Sequence, residues 1–151
     1  MARCEVEVDP ATGAARVTRF DAAVDVGVVV NPLLLDGQLH GGYATGIGQA
    51  LLEDARYDGS GQLVAATLMD YALPRAADMP FFGTALACTP SPNNALGVKG
   101  VGELPTNGAA AAIANAVLDA LAEDGVTHVE LPMTPLRVWE ALRDAAARRQ
   151  A

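Results

Sequence analysis

The stretch Leu96–Val117, with the sequence LGVKGVGELPTNGAAAAIANAV, joins a glycine-rich loop to an alanine-rich segment, and Glu103 stands at the junction. The glycines allow the backbone to come close to another group. The alanine-rich segment predicts a helix, and the N-terminus of a helix favours negative charge. Glu103 is therefore either a partner of the helix dipole or a reactive base.

The glycine spacing itself matches neither of two well-known phosphate-binding patterns. A Walker loop would end in Gly-Lys-Ser/Thr, and the dinucleotide fingerprint would have the order G-x-G-x-x-G between a strand and a helix. The run GVKGVGE has neither feature. It is compatible with a structural loop and with a ligand cradle. Its apolar surroundings would desolvate the Glu103 carboxylate, which favours the base interpretation.

Composition excludes several classes of function. The chain has 151 residues, of which 51% are hydrophobic, so a packed core is expected. The net charge of −8 argues against nucleic acid or an anionic membrane surface as a partner. Cys4 and Cys88 form no Cys-x-x-Cys pair, so neither a disulfide framework nor a zinc site is predicted. Without an apolar leader or a membrane-length segment, a cytoplasmic protein is expected.

Hydrophobic periodicity and turn residues predict an α+β fold in which 1–151 form a single domain. Asn31 is the predicted N-cap of a helix that Pro32 opens, and Gly125 follows the end of another. Residues 89–105 are predicted to form a long loop, which in a compact domain is usually functional. Strands are predicted at 4–8, 15–30, 81–88 and 126–131, a hairpin at 54–58 and 62–68, and helices at 32–53, 107–123 and from 135 onward.

The first predicted helix carries five glycines, at positions 37, 41, 42, 46 and 48. Each would cost an exposed helix roughly 1 kcal/mol against alanine. Close packing against another backbone or a ligand would offset this cost. Gln38 lies among these glycines, and its amide can either bond the backbone or donate and accept toward a polar ligand.

Other catalytic patterns receive no support from the sequence. His40 and His128 are the only histidines and are too far apart for a helical metal motif, so structural roles are expected for both. The chain lacks Gly-x-Ser-x-Gly, and neither cysteine has a histidine near it in sequence. A hydrolase triad is not predicted.

Six segments, taken in order, resemble the C-terminal part of the molybdopterin-binding large subunit of the xanthine dehydrogenase, aldehyde oxidase and aerobic carbon monoxide dehydrogenase family. No one of them is decisive, but their order and spacing are specific and cover nearly the whole chain. The segments are VDVGVVVNP, GQLHGGYATGIGQALLE, LMDYALPRAADMP, TPSPNNALGVKGVGE, AAAAIANAVLDAL and LPMTPLRVWEAL. The resemblance implies a mixed sheet with packed helices.

The resemblance also implies a chemistry. Glu103, which closes the Gly-x-Gly-Glu motif, would be the catalytic base that takes a proton from Mo–OH during oxidation of an aldehyde or N-heteroaromatic carbon. Gln38, Lys99, Gly100 and Gly102 would contact the cofactor. That cofactor would be molybdopterin, usually as its cytosine dinucleotide in bacterial members, with molybdenum held by the pterin rather than by protein ligands. Electrons would leave through 2Fe-2S and FAD on partner subunits.

Two departures from the family pattern leave the substrate open. Leu104-Pro105 follows Glu103 where many relatives have Ala-Gly or Pro-Pro, and Val26 stands where relatives often have cysteine. Family subunits are also several times longer. We therefore expect a component that needs the N-terminal half of the molybdenum subunit and is inactive alone, with exposed apolar surface that favours a partner or self-association. The alternative is a non-catalytic binding or scaffold fragment that needs the missing half.

Overall fold

The computed structural model describes residues 1–150, and within them the strands form one mixed sheet. β1 (Ala2–Val8) and β2 (Ala15–Val24) form an antiparallel hairpin, and β3 (Phe82–Leu86) pairs with β2 in parallel. The order in the sheet is β1-β2-β3. The predicted strands at 4–8 and 81–88 are therefore present. The predicted strand at 15–30 ends at Val24, where the chain turns toward the first helix.

A β-bulge in β2 sets which side chains face the core. Glu5 pairs with Arg19 and Val6 with Val17, so Thr18 is the extra residue on β2. A bulge shifts the alternation of a strand by one residue. Val17 and Phe20 are consequently both buried although they lie three positions apart.

Three α-helices carry most of the remaining core. α1 (Pro32–Leu51) is capped by Asn31, whose side-chain oxygen accepts from the Leu34 amide over 3.1 Å, as the Asn-Pro pair predicts. α2 (Leu104–Ala120) runs into a short 3-10 turn, Ala122–Asp124, that ends at Gly125 with φ +79°. α3 (Pro135–Gln150) closes the described chain.

α1 and α2 cross closely because α1 presents glycine at the crossing. A Cβ atom at Gly42 would overlap the Pro105 ring, and one at Gly46 would lie 2.5 Å from the Ala109 Cβ. The helical cost of these glycines is thus offset by the approach of α2. Gly37 and Gly41, by contrast, face open space.

The core lies between the sheet and this helix pair. Phe20 of β2 and Tyr43 of α1 have ring centroids 5.0 Å apart, and the Phe82 ring of β3 lies 5.4 Å from that of Tyr43. Ile113 and Val117 of α2 are fully buried beside them. This arrangement fixes the ends of β2 and β3, from which the candidate site is built.

Three further predictions about elements were wrong, either entirely or in part. Residues 126–131 form no strand, because no neighbouring strand pairs with them and they bury Val126 and Val129 instead. The predicted hairpin is limited to one bridge between Tyr57 and Leu63 around a turn. α2 begins at Leu104 rather than near 107. Its apolar residues lie nearly all round the helix and predict a fully buried helix, but only one face is buried, and most of its alanines are half-buried or exposed.

None of the helices within residues 1–150 is long and apolar enough to cross a membrane.

Candidate functional site

The loop that carries Glu103 is fixed against the segment that follows β2. The Val28 amide donates to the Gly97 carbonyl over 3.0 Å, and the Lys99 amide donates to the Val26 carbonyl over 2.9 Å. These bonds form an isolated antiparallel bridge between Gly27 and Val98. Gly27 has φ +66°, and a Cβ atom there would overlap the Gly97 carbonyl oxygen, so this close approach requires glycine.

Asn94 stabilises the same loop from inside. Its side-chain amide donates to the Val98 carbonyl over 3.0 Å, and its side-chain oxygen accepts from the Val98 amide over 3.2 Å. The Ser91 amide donates to Gly97 over 3.0 Å. The long loop predicted from the sequence therefore has a defined conformation without helix or strand.

Asp25, directly after β2, joins this loop to the end of β3. Its Oδ2 accepts from the Lys99 ammonium over 2.6 Å, and its Oδ1 accepts from the amides of Gly27 and Thr89 over 3.0 and 3.1 Å. Hydrogen bonding from Lys99, followed by the bonds from the two amides, lowers the pKa of Asp25 to about 2. Asp25 is therefore ionised at neutral pH.

Glu103 is the N-cap residue of α2, and its side chain is exposed. It makes no capping hydrogen bond to the helix, and its backbone is helical, with φ −100° and ψ −9°. The expectation that apolar surroundings would desolvate this carboxylate is wrong for residues 1–150, because the loop places it at the surface. An uncapped, exposed carboxylate remains available to a ligand or to another polypeptide.

The backbone between Lys99 and Glu103 offers unpaired donors. Within residues 1–150 no acceptor is bonded to the amides of 100, 101 or 102. A Cβ atom at Gly100 or Gly102 would meet nothing within 4 Å. The predicted close approach at these two glycines therefore has no counterpart inside the described chain, and the exposed amides are free to donate outward.

Gln38 and Lys99 line the same shallow cavity of about 270 Å³ between the start of α1 and the loop. Its other walls are mostly valine and leucine side chains, including Val101, two residues before Glu103. The structure thus brings Gln38 and Lys99 together. Glu103 is close in sequence to residues of this wall but does not line the cavity itself.

A larger cavity of about 700 Å³ lies between the sheet and α2, and its wall includes Asp25 and Leu104, the residue after Glu103. It is lined mainly by small apolar side chains together with Phe20, Tyr43 and Pro105. It contains none of the predicted site residues, so its size does not make it the better candidate. Within residues 1–150 no group of three or more His, Cys, Asp or Glu side chains is arranged to hold a metal ion.

Sequence reasoning missed the role of Asp25. One available signal was composition, because Lys99 is the only lysine in the chain and the other nine basic residues are arginines. A second was the position of Asp25 between valines at the end of a strand. Neither signal reveals the pairing itself, which joins positions 74 residues apart.

Comparison with protein families then identifies the chain. A family model described as a molybdopterin cofactor-binding domain matches residues 1–80. The chain belongs to this family. The resemblance drawn from the six sequence segments is thereby confirmed, and so is the α+β fold.

Similar proteins include molybdenum oxidoreductases with different named substrates. The chain is 43% identical over 141 residues to the carbon monoxide dehydrogenase large chain of Hydrogenophaga pseudoflava, an alignment that covers 93% of this chain and 18% of that one. It matches the structure of quinoline 2-oxidoreductase from Pseudomonas putida 86 with a TM-score of 0.89 and 45% identity, covering 92% and 18%. It matches Cu,Mo-CO dehydrogenase in the carbon monoxide reduced state with a TM-score of 0.90 and 36% identity, covering 95% and 18%.

The chain therefore spans less than a fifth of the length of the relatives it matches. Its donor set fits an anionic pterin cofactor. The unpaired amides after Lys99 and the exposed N-terminus of α2 favour negative charge. The Gln38 side chain in the cavity wall can both donate and accept hydrogen bonds. The Lys99 ammonium is already bonded to Asp25, so a direct contact between Lys99 and the cofactor stays a prediction.

Proposed function

We propose that this chain is the part of a molybdenum hydroxylase that supplies the general base, Glu103, for oxidation of an aldehyde or N-heteroaromatic carbon with water as the oxygen source. The observation that supports this most directly is the exposed, uncapped carboxylate of Glu103 at the end of a loop fixed by Asp25 and Asn94. A base must reach the proton that it accepts in a fixed geometry. Exposure and a defined loop together meet that requirement.

In this proposal some residues of the chain would bind the cofactor and Glu103 would accept the proton. Gln38 would donate and accept toward the pterin, and the free amides at Gly100 and Gly102 would donate to anionic groups of the cofactor. Glu103 would accept the proton at a carboxylate oxygen and would release it to solvent before the next turnover. The cofactor, when bound, would supply the molybdenum that activates water and takes up the electron pair.

The remaining parts of the enzyme are proposals of the same kind. We propose that 1–151 form one domain, supported by a buried cluster that runs from Val17 to Ala145. The N-terminal half of the molybdenum subunit would complete the cofactor site. The cofactor would be molybdopterin cytosine dinucleotide, and partner subunits with 2Fe-2S and FAD would carry the electrons away. The assembly would be cytoplasmic, and the chain would be inactive alone.

Replacing Glu103 tests the proposal. Glu103→Gln in the assembled enzyme should lower turnover by roughly 10²–10⁴-fold or more, because a general base is lost while its size and polarity are kept. Molybdenum content, measured in the same preparation, should not change. Glu123→Gln is the matched control, because Glu123 is an exposed glutamate in the 3-10 turn that follows α2. Near-normal turnover of Glu103→Gln would remove Glu103 from the mechanism.

The alternative function is a non-catalytic scaffold that keeps the fold. In that case the chain would bind its partner half without taking part in turnover. A pull-down of the tagged chain from its native host, with molybdenum quantified in the eluate, separates the two. Molybdenum that arrives with a larger partner supports the hydroxylase. A chain recovered with neither molybdenum nor a partner supports a non-catalytic fragment that has lost its partner half.

A further inference from the structure

The side chain of Asp25 contacts three separate segments of the chain. Its Oδ1 accepts from Gly27 in the turn after β2 and from Thr89 in the segment after β3, while its Oδ2 accepts from the Lys99 ammonium. Both carboxylate oxygens are therefore engaged, one by backbone amides and the other by a cation. A charge-assisted bond of this kind is roughly twice as strong as a neutral one.

Lys99 is the last fixed point before Glu103. Its amide is held by the Val26 carbonyl and its ammonium by Asp25, whereas the amides of 100, 101 and 102 have no partner in residues 1–150. On the far side, Glu103 is fixed by the first turn of α2, where the Asn107 amide donates to the Glu103 carbonyl over 3.2 Å. The loop conformation at Glu103 thus depends on one anchor at each end.

The nature of the cation supports a specific role for this anchor. The only lysine in the chain forms this contact, although nine arginines are present elsewhere. The pair is partly shielded, with each side chain 36% exposed. A lysine ammonium is a compact point charge, which suits a single carboxylate oxygen whose partner oxygen is already occupied.

We infer that Asp25 is a positioning residue, which through Lys99 holds the loop against the end of β2 and so sets where the Glu103 carboxylate lies. This inference rests on the proposed function only where it concerns turnover. The side chain of Asp25 bonds to Gly27, Thr89 and Lys99 and makes no hydrogen bond to Glu103. Its effect is transmitted through the loop, so it can be measured in the chain without cofactor.

The first experiment observes Lys99 directly. Reductive methylation with ¹³C-formaldehyde labels only Lys99 and the N-terminus, because the chain has one lysine. In the 151-residue chain the dimethyl-Lys99 NMR signal should differ from that of free dimethyl-lysine, and Asp25→Asn should move it to the free position. Asp21→Asn is the matched control, since Asp21 pairs with Arg19 over 2.7 Å on the same strand and should leave the signal unchanged. A wild-type signal already at the free position would overturn the inference.

The second experiment measures amide hydrogen exchange in the same chain. Asp25→Ala should speed exchange at Val28, Thr89 and Lys99 by about tenfold or more, while Ile113 and Val117 in α2 keep their rates. Unchanged rates at Val28 and Lys99 would contradict the inference. If exchange also rises throughout α2, Asp25→Ala has destabilised the whole fold, and the milder variant Asp25→Asn is then measured instead. Asparagine can still accept from both amides and loses only the charge.

The third experiment uses the assembled enzyme. Asp25→Asn should lower kcat by about tenfold or more with molybdenum content and KM unchanged, and should cause no further fall in a Glu103→Gln background. Wild-type turnover of Asp25→Asn despite altered loop exchange would show that Asp25 does not position Glu103. If instead the proposed function is wrong, the single variant Glu103→Gln would itself keep near-normal turnover, so the two failures can be told apart.

Discussion

At the residue scale, sequence spacing predicts one residue of the candidate site, Glu103, but not another, Asp25. Glu103 can be found because the glycines before it and the helix after it are contiguous in the chain. Asp25 cannot be found in this way, since its partners Thr89 and Lys99 lie 64 and 74 residues away. The exposure of Glu103 was also not predictable, because composition near a residue does not fix which side of the loop it faces.

The pH response of Asp25 follows from its hydrogen bonds. They lower its pKa from the ordinary 3.8 to about 2, so its contribution to stability is present above about pH 3.8 and is lost as pH falls through about 2. The amide NMR shifts of Gly27 and Thr89 should therefore titrate with a midpoint near pH 2. A midpoint near the ordinary carboxyl value would show that the Lys99 contact is weak in solution.

The two cysteines should differ in reactivity. Burial, followed by the neighbouring charge of Glu5, raises the pKa of Cys4 to about 11, so at pH 8 only about one molecule in a thousand carries its thiolate. Cys88 is exposed. Iodoacetamide at pH 8 should label Cys88 at least about tenfold faster, as peptide mass spectrometry can measure. Equal rates in the native chain, with the unfolded chain as control, would contradict this.

At the element scale, local signals predicted the ends of α1 well and the strands less well. Asn31-Pro32 fixes the start of α1 through a cap that the two residues form themselves. Residues 126–131 have strand-like composition, but a strand needs a neighbour to pair with, and sequence composition does not supply one. The same limit explains why residues 25–30 turn away from the sheet although they are rich in valine.

The crossing of α1 and α2 provides a matched pair of substitutions. Gly46→Ala should destabilise the fold by about 1–3 kcal/mol, because the new Cβ would meet Ala109 at 2.5 Å. Gly41→Ala, on the open face of the same helix, should stabilise it by up to about 1 kcal/mol. Urea unfolding of both variants measures the difference. Equal effects would mean that the two helices do not approach as closely as described.

At the scale of the whole molecule, apolar side chains remain at the surface near the start of α1. Val30, Leu33 and Leu34 are 79%, 81% and 67% exposed, and two of them line the cavity that contains Gln38. Neighbouring exposed apolar side chains of this kind usually mark an interface. The patch lies beside the predicted cofactor residues, where the proposed N-terminal half would join.

Without a partner, the chain should therefore self-associate. Sedimentation velocity at tens of micromolar should show species larger than the monomer, and Leu33→Gln should reduce them. Leu136→Gln is the control, because Leu136 is 61% exposed on α3, outside the patch. A strictly monomeric wild-type chain would contradict this prediction.

The sheet order has a consequence for how the chain reaches this fold. The β1–β2 hairpin closes over a short turn, whereas β2 can meet β3 only after the whole of 25–81 has been brought into place. Closing a longer loop costs more entropy and slows the contacts that depend on it. We therefore expect the hairpin to form early and β3 to join late. Since Asp25 meets Thr89 only once β3 is in place, the anchor of the Glu103 loop would be completed among the last steps of folding.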